Sequence, residues 1–266
     1  MLRNVKDLET YAISASDGEI GPVTDVYFDD DAWAIRYFVV DTGSWLSSRK
    51  VLISPISVHQ PHWLAQSLPV SLTRKQVRSS PDVDTDKPVS RQNEEQVLGH
   101  YGYPHYWGGA GLWGDGRHPQ SMAPGHAHQE DDRAGREREL EAGLRDEKAH
   151  HRNDDPHLRS CNAILGYGIH ATDGDIGHVA GFLVDDETWA IRFLIVDTSN
   201  WWIGHKVLIA PPWIQGVHWA ERSVSVALDR ESIRSAPAYD ATVDWSNEQD
   251  LSLHRHYGRS NYRQVV

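Results

Sequence analysis

The sequence predicts a mainly β protein: two small barrel-like repeats, each with one short helix, joined by a long flexible linker. Three observations support this. The chain repeats itself at a shift of about 156 positions, both copies consist of short apolar segments bounded by Gly, Pro and Asp, and the segment between them is poor in apolar residues. The predicted ranges are 1–82 for the first repeat, 83–157 for its tail and the linker, 158–238 for the second repeat and 239–266 for an aromatic C-terminal tail.

The duplication is the strongest signal in the chain. The segment Ile13–Pro81 aligns without a gap with Ile169–Pro237, with roughly 31 identities in 69 aligned pairs. The match extends upstream, where Leu2-Arg3 corresponds to Leu158-Arg159, and downstream into the tails. Each copy is therefore one structural unit followed by a tail.

Local patterns within one copy predict strands and one helix. Asp17-Gly18 is typical of a tight hairpin turn, and Ile20–Phe28 reads as a strand interrupted at Gly21-Pro22. Trp33–Asp41 is predicted to be the longest strand and to be covered on both faces over part of its length, because apolar residues lie on both sides of it. A capping box at Thr73 predicts a short helix, for which Asp229 is the equivalent N-cap in the second copy.

Composition narrows the class of protein. The 266 residues include 26 Lys plus Arg against 38 Asp plus Glu, a net charge of -12, which disfavours nucleic acid as a partner. The sequence shows neither an apolar signal-peptide core nor a transmembrane segment. The single cysteine, Cys161, aligns with Val5 and is interpreted as an apolar packing residue. A cytoplasmic protein is expected.

The acidic, His-rich linker and the Gly-rich segment each carry a pattern that resembles a ligand-binding site. Glu137–Lys148 could form a transient helix, and the histidines could bind a metal weakly or respond to pH; no functional metal site and no cofactor are predicted. The segment Gly109–Gly114 has the spacing of a dinucleotide fingerprint, but neither the preceding strand nor the following helix is predicted. No catalytic residue is predicted.

Aromatic residues give the candidate partner-binding surface. Trp45 corresponds to Trp201 in a loop between strands, where the second copy adds Trp202; partner contact and core packing are both open for this loop. The aromatic tail of the first copy either folds back on its own barrel, the preferred interpretation, or binds another chain. The candidate residues of that tail are Tyr101, Tyr106 and Trp107. Trp33 and Trp189 are each interpreted as closing one end of a barrel.

One arginine lies in the middle of the predicted longest strand of each copy, Arg36 in the first and Arg192 in the second. Because an unpaired charge there would be costly, structural ion pairs are the preferred interpretation, with Asp41 and Asp197 as the possible partners. The alternative is that the arginine side chains extend outward to the solvent.

The Asp-Gly-x-Ile-Gly turn with its glycines (Gly18, Gly21, Gly174 and Gly177), the Val-Asp-Thr strand end and the Lys-Val-Leu-Ile strand followed by proline together resemble the PRC-barrel family. That family includes the cytoplasmic domain of the photosynthetic reaction-centre H subunit and a domain of a ribosome-maturation factor. The resemblance covers both repeats and implies a small β-barrel that docks onto larger assemblies.

The sequence thus favours a non-enzymatic scaffold that binds a protein partner, with a membrane-associated complex as one candidate and pairing of the two repeats as another. The alternative is an enzyme, or a sensor of a small ligand, a metal or pH, with a site between the barrels built from Asp41, Asp197, Arg36 and Arg192.

Overall fold

The computed structural model describes residues 1–46, 49–81, 89, 91–107, 109–124, 158–198 and 205–259. The predicted linker helix at 137–148 lies outside these ranges. The chain divides into two compact units, and neither unit is a continuous stretch of sequence. Unit 1 comprises Met1–Lys6, Cys161–Asp186 and the chain from Ile191 onwards, and unit 2 comprises Asp7–Ser160 and Glu187–Ala190.

Strands dominate both units. In chain order they are β1 Leu2–Asn4, β2 Ala12–Ala15, β3 Gly18–Asp29, β4 Ala34–Asp41, β5 Lys50–Ile53, β6 Ser67–Pro69, β7 Leu158–Ser160, β8 Gly168–Ala171, β9 Gly174–Asp185, β10 Ile191–Asp197, β11 Lys206–Ile209, β12 Ile214–His218 and β13 Ser223–Val226. The α-helices are α1 Val5–Leu8, α2 Arg74–Arg78, α3 Arg91–Tyr101, α4 Cys161–Ile164, α5 Arg230–Arg234 and α6 Asn247–His256. The 3-10 turns are Gly43–Leu46, Pro55–Ser57, Trp63–Ala65, Pro119–Met122 and Pro211–Trp213.

The two sheets share one plan, which confirms the predicted mainly β, duplicated fold. Unit 2 has the strand order β5-β4-β3-β2-β6, and unit 1 has β11-β10-β9-β8-β13-β12. Most neighbours are antiparallel, but β2 with β6 and β8 with β13 are parallel. Both sheets are therefore mixed, with equivalent strands in equivalent places.

Each sheet contains the first strand of the other repeat. The first strand of repeat 1, β1, pairs antiparallel with β9, and the first strand of repeat 2, β7, pairs antiparallel with β3. The equivalent residues pair in the same register, since Arg3 lies opposite Val184 and Arg159 lies opposite Phe28. The repeat seen in the sequence is therefore not the same segment as the folded unit, in contrast to the contiguous ranges expected from the sequence.

Local signals agree with the structure except at two strands. The longest strand of the first repeat is the 12-residue β3 and not the predicted Trp33–Asp41, of which the 8-residue β4 forms part. The Asp17-Gly18 turn joins β2 to β3. The Thr73 capping box and the Asp229 cap begin α2 and α5. The expected interruption at Gly21-Pro22 is absent, because β3 runs continuously through both residues; the irregularity appears instead as a shift of register near Ser14.

The central strand β4 is covered on both faces, as predicted. Every residue from Ala34 to Val40 is buried, so side chains of both parities leave water. Arg36 is among them and is 2% exposed. A charged side chain in this position must find all its partners inside the protein.

None of the described helices is both long and apolar enough to cross a membrane.

Gly21 and Gly177 are required by a close approach of backbone to backbone. Gly21 has φ +154°, and a Cβ there would lie 1.8 Å from the Asp41 carbonyl oxygen. Gly177 has φ +147°, and a Cβ there would lie 2.2 Å from the Asp197 carbonyl oxygen. These two glycines of the shared turn motif let β3 and β9 pass against the ends of their neighbouring strands.

We expect Gly21→Ala and Gly177→Ala each to lower the free energy of unfolding by about 2–4 kcal/mol, because the methyl group collides with a carbonyl in strained backbone. Urea unfolding followed by tryptophan fluorescence measures this. The matched control is Gly99→Ala in α3, where a Cβ meets nothing within 4 Å, and where alanine should be neutral or stabilising by up to about 1 kcal/mol. Equal effects at positions 21 and 99 would contradict the explanation.

Candidate functional site

Arg36 is the centre of a buried polar cluster in unit 2. Its guanidinium carbon lies 3.8 Å from the centre of the Tyr106 ring and 4.6 Å from the centre of the Trp113 ring. Nη1 donates a hydrogen bond to the Leu112 carbonyl at 2.7 Å, and Nη2 lies 3.5 Å from Asp29 Oδ2. The charge is thus stabilised by two aromatic rings, a carbonyl and a carboxylate.

The Tyr106 hydroxyl links this cluster to helix α3. It donates to the Glu94 carboxylate, with 2.7 Å to Oε2 and a closer approach to Oε1. Burial, together with the Glu94 charge, raises the pKa of Tyr106 well above its ordinary value, although Arg36 opposes the shift. The hydroxyl therefore stays protonated and remains a hydrogen-bond donor to Glu94.

Helix α3 presents one buried face to the sheet. Glu94, Val97, Leu98 and Tyr101 are all buried, at the i, i+3, i+4, i+7 spacing of a helical stripe. Helix α6 repeats this face at the positions 156 residues later, with Asp250, Leu253, His254 and Tyr257 buried. Each tail therefore brings an acidic residue, Glu94 or Asp250, into the interior at the same place.

Trp113 reaches the cluster from the Gly-rich segment. Its Nε1 donates to the Thr188 carbonyl at 2.8 Å, and a Cβ on Gly109 would lie 2.2 Å from the Gly114 carbonyl carbon. The glycines are thus explained by close packing of the loop on itself.

The segment Glu187–Ala190 completes unit 2. Trp189 has φ 59°, is 1% exposed, and meets the Phe38 ring edge-on with 5.1 Å between centroids. Its carbonyl accepts a hydrogen bond from the Ile35 amide at 2.8 Å. Trp33, the equivalent residue, is only half-buried and lies against Phe28. The two equivalent tryptophans therefore have different environments.

Unit 1 holds the equivalent arginine in a different setting. Arg192 Nη2 lies 4.0 Å from Asp250 Oδ2, and His254 Nε2 lies 3.9 Å from Asp250 Oδ1. The Trp213 ring packs against His254 and Tyr257 at centroid distances of 5.0 and 4.8 Å. Both units thus contain a mid-strand arginine, an acidic residue of the tail helix and aromatic rings. The residues that contact the arginine differ between the two units.

The structure changes the predicted partner of Arg36. Asp41 lies five positions from Arg36 on β4, and because a strand rises about 3.3 Å per residue, their Cα atoms are about 16 Å apart, too far for an ion pair. Asp29 pairs with Arg36 instead, and Asp41 accepts a hydrogen bond from the Gly43 amide. Asp197 has the same five-residue spacing from Arg192 on β10.

The predicted partner-binding residues divide into two groups. Trp201 and Trp202 lie outside the described residues, as does the Trp45 side chain. Tyr101, Tyr106 and Trp107 are buried, with exposed fractions of 7%, 3% and 7%, so this tail folds back on unit 2 and these rings offer no exposed surface. Glu94, Asp250 and Trp113 were not singled out from the sequence, although the equivalence of Glu94 with Asp250 was visible in the repeat.

The acidic turn before Trp33 also carries structural bonds. The carboxylates of Asp29, Asp30 and Asp31 lie within 4.8 Å of one another. Arg36 pairs with Asp29, and Arg159 of β7 pairs with Asp30 at 3.1 Å. Burial raises the pKa of Asp30 to about 6, even though Arg159 opposes the shift. Two of the three acids are thus used by arginines of the fold.

Comparison with known proteins identifies part of the chain. Residues 3–61 match the PRC-barrel domain family. A relative described as an uncharacterized protein from Deinococcus radiodurans is 32% identical over 110 residues. That alignment covers 35% of this chain and 39% of the relative, so it spans about two fifths of the relative's length.

We expect Tyr106→Phe to lower the free energy of unfolding by about 2–4 kcal/mol, because it leaves the buried Glu94 carboxylate without its hydroxyl donor. The matched control is Tyr257→Phe. Among the residues that the structure describes, the buried Tyr257 hydroxyl has no hydrogen-bond partner, so its removal should be neutral or stabilising. Thermal and urea unfolding of the two variants measure the difference; an equal loss in both would show that the Tyr106–Glu94 bond contributes little.

We expect Asp30→Asn to remove a pH dependence near pH 4–6. The folded-state pKa of Asp30 is about 6 and lies above its ordinary value of 3.8. The stability linked to the protonated acid is therefore fully present below about pH 4 and is lost as the pH rises through 6. The wild-type chain should lose about 1–3 kcal/mol relative to the asparagine variant across this range. Urea unfolding of both chains at pH 4, 5, 6 and 7 tests this, and parallel curves would contradict it.

Proposed function

The chain contains a PRC-barrel domain at residues 3–61 and a second sheet with the same strand order, and from this premise we propose that it is a non-enzymatic scaffold. In this proposal, the two PRC-barrel modules bind a protein partner in the cytoplasm. The candidate partner is a subunit of a larger, membrane-associated assembly.

The observation that carries this proposal is the burial of Arg36 between Tyr106 and Trp113. An enzyme or ligand sensor needs charged groups that can reach a ligand. The mid-strand arginine that the alternative function would need is instead covered by rings and bonded to Leu112 and Asp29. Its chemistry serves to hold the tail against the sheet.

Charge and aromatic content support a protein as the partner. The net charge of -12 opposes binding to the phosphates of nucleic acid. Tryptophan is enriched at the energetic centres of protein interfaces, and the loop that carries Trp45 in one copy and Trp201 and Trp202 in the other is the docking surface in this proposal. Two modules on one chain raise the effective concentration of the second contact once the first has formed.

A paired capture and binding experiment tests the scaffold function. The full chain captures partners from a lysate of its own organism at moderate salt, and the captured protein is then purified and its affinity measured by calorimetry. We expect Trp45→Ala and the double variant Trp201→Ala, Trp202→Ala each to weaken binding at least about tenfold.

The matched control is Leu64→Ala, which removes an exposed apolar side chain from the 3-10 turn Trp63–Ala65, outside this loop in the sequence; its affinity should be unchanged. Equal affinity of all variants would reject the tryptophan loops as the docking surface. Recovery of no partner that binds again after purification would reject the scaffold function itself.

A further inference from the structure

The two first strands, β1 and β7, share an arginine–aspartate ion pair with their sheets, to which β1 adds a pair between the Met1 amine and Asp186 Oδ1. Arg3 Nε lies 3.2 Å from Asp186 Oδ2, and Arg159 Nε lies 3.1 Å from Asp30 Oδ2. The backbone registers are also equivalent. The shared contacts hold either strand equally well and cannot decide which strand each sheet accepts.

The last residue of each first strand is different. Ser160 ends β7, and its hydroxyl donates to Asp25 Oδ2 at 2.6 Å. The other carboxylate oxygen of Asp25 accepts from the Val26 amide at 2.7 Å. Asp25 is therefore held ready as an acceptor, and a short side chain with a donor fits opposite it.

The equivalent pair in unit 1 is Asn4 and Gly181. Asn4 Oδ1 accepts a hydrogen bond from the Lys6 amide at 3.0 Å, so an acceptor oxygen is fixed on this side. A Cβ on Gly181 would lie 3.7 Å from that same oxygen. The Asn4 side chain, which is longer than the equivalent Ser160, thus lies next to Gly181, where the sheet carries no side chain.

Exchanging the strands would spoil both pairs. With β1 on β3, the fixed Asn4 oxygen would meet the Asp25 carboxylate, and two acceptors would face each other. With β7 on β9, the Ser160 hydroxyl would face Gly181 and lose its charged acceptor. Pairing of like with like, within one repeat or with a second copy of the chain, is therefore disfavoured relative to the observed exchange.

We propose that the pairs Asn4–Gly181 and Ser160–Asp25 determine which first strand each sheet accepts, and so favour the exchange of first strands between unlike repeats. The alternative position for each strand is the sheet of the like repeat, in the same chain or in a second copy. The backbone hydrogen bonds of the sheet edge and the Arg–Asp ion pair bind either first strand. The residue pair at the end of the strand determines which of the two first strands binds more tightly.

A cysteine pair in the full chain reports the exchange. Leu2→Cys and Asp185→Cys lie directly opposite each other in β1 and β9, within reach of a disulfide, and Cys161→Ala removes the native thiol. Equilibration with reduced and oxidised glutathione gives the effective concentration of the pair, which measures how firmly β1 lies on β9. Mass spectrometry separates intramolecular from intermolecular disulfides.

Three backgrounds are compared with this reporter chain: Asn4→Ser with Ser160→Asn, Asp25→Gly with Gly181→Asp, and all four changes together. We expect each two-residue swap to lower the effective concentration about tenfold. The four-residue variant should return to within about threefold of the reporter chain, because both pairs are restored with their positions exchanged. Losses that simply multiply in the four-residue variant, or swaps without effect, would overturn the proposal.

A second measurement decides the matter if chains with Gly181→Asp do not fold. A double-mutant cycle of Ser160→Ala and Asp25→Ala should show a coupling of about fivefold or more in the unfolding equilibrium constant. The control cycle of Asn4→Ala and Asp25→Ala should show none, since these residues belong to different pairs. Absence of coupling between positions 160 and 25 would overturn the proposal.

Discussion

A guanidinium in the middle of a doubly covered strand is the constraint on which unit 2 depends. Burying a charge is costly unless polar and aromatic groups replace the lost water. Arg36 obtains them from two distant segments: the tail supplies Tyr106, Trp113 and the Leu112 carbonyl, and the end of β3 supplies Asp29. The tail in turn needs Glu94 for its tyrosine and Thr188 for its tryptophan. A segment that looks like a Gly-rich appendage is thereby part of the fold.

The sequence was sufficient to predict the features that depend on the internal repeat and on short-range signals. The duplication, the Asp17-Gly18 hairpin and the Thr73 cap follow from short-range chemistry that tertiary contacts do not override. The partner of Arg36 was not predictable in the same way, because nearness in sequence suggested Asp41, whereas five residues of extended strand separate the two positions by about 16 Å. Glu94 and Asp250 were missed because an acid in a helix is usually solvated, although the shared i, i+3, i+4, i+7 stripe contained the signal.

The exchange of first strands lies beyond what an internal repeat can reveal. Leu2-Arg3 and Leu158-Arg159 are the same pair of residues, so each strand fits either sheet in the same register. A duplicated sequence therefore has two nearly equal pairings, and identity between copies cannot separate them. Only a difference between the copies can favour one, which is why Asn4 against Ser160 and Gly181 against Asp25 carry information that the shared residues do not.

The same reasoning applies to the two arginine clusters. Position 57 in the first repeat is a serine beside Tyr103 of the tail, and its equivalent in the second repeat is Trp213, which packs on His254 and Tyr257. The small Ser57 thus lies beside an aromatic ring of the tail of unit 2, whereas in unit 1 the aromatic ring at the equivalent position is Trp213 itself, packed on its tail helix. Both copies have an arginine at this position, Arg36 and Arg192, whereas the residues around it differ. Each copy therefore stabilises its arginine with a different set of residues. Divergence between the copies has thus produced two units with one topology and distinct interiors, each matched to its own tail.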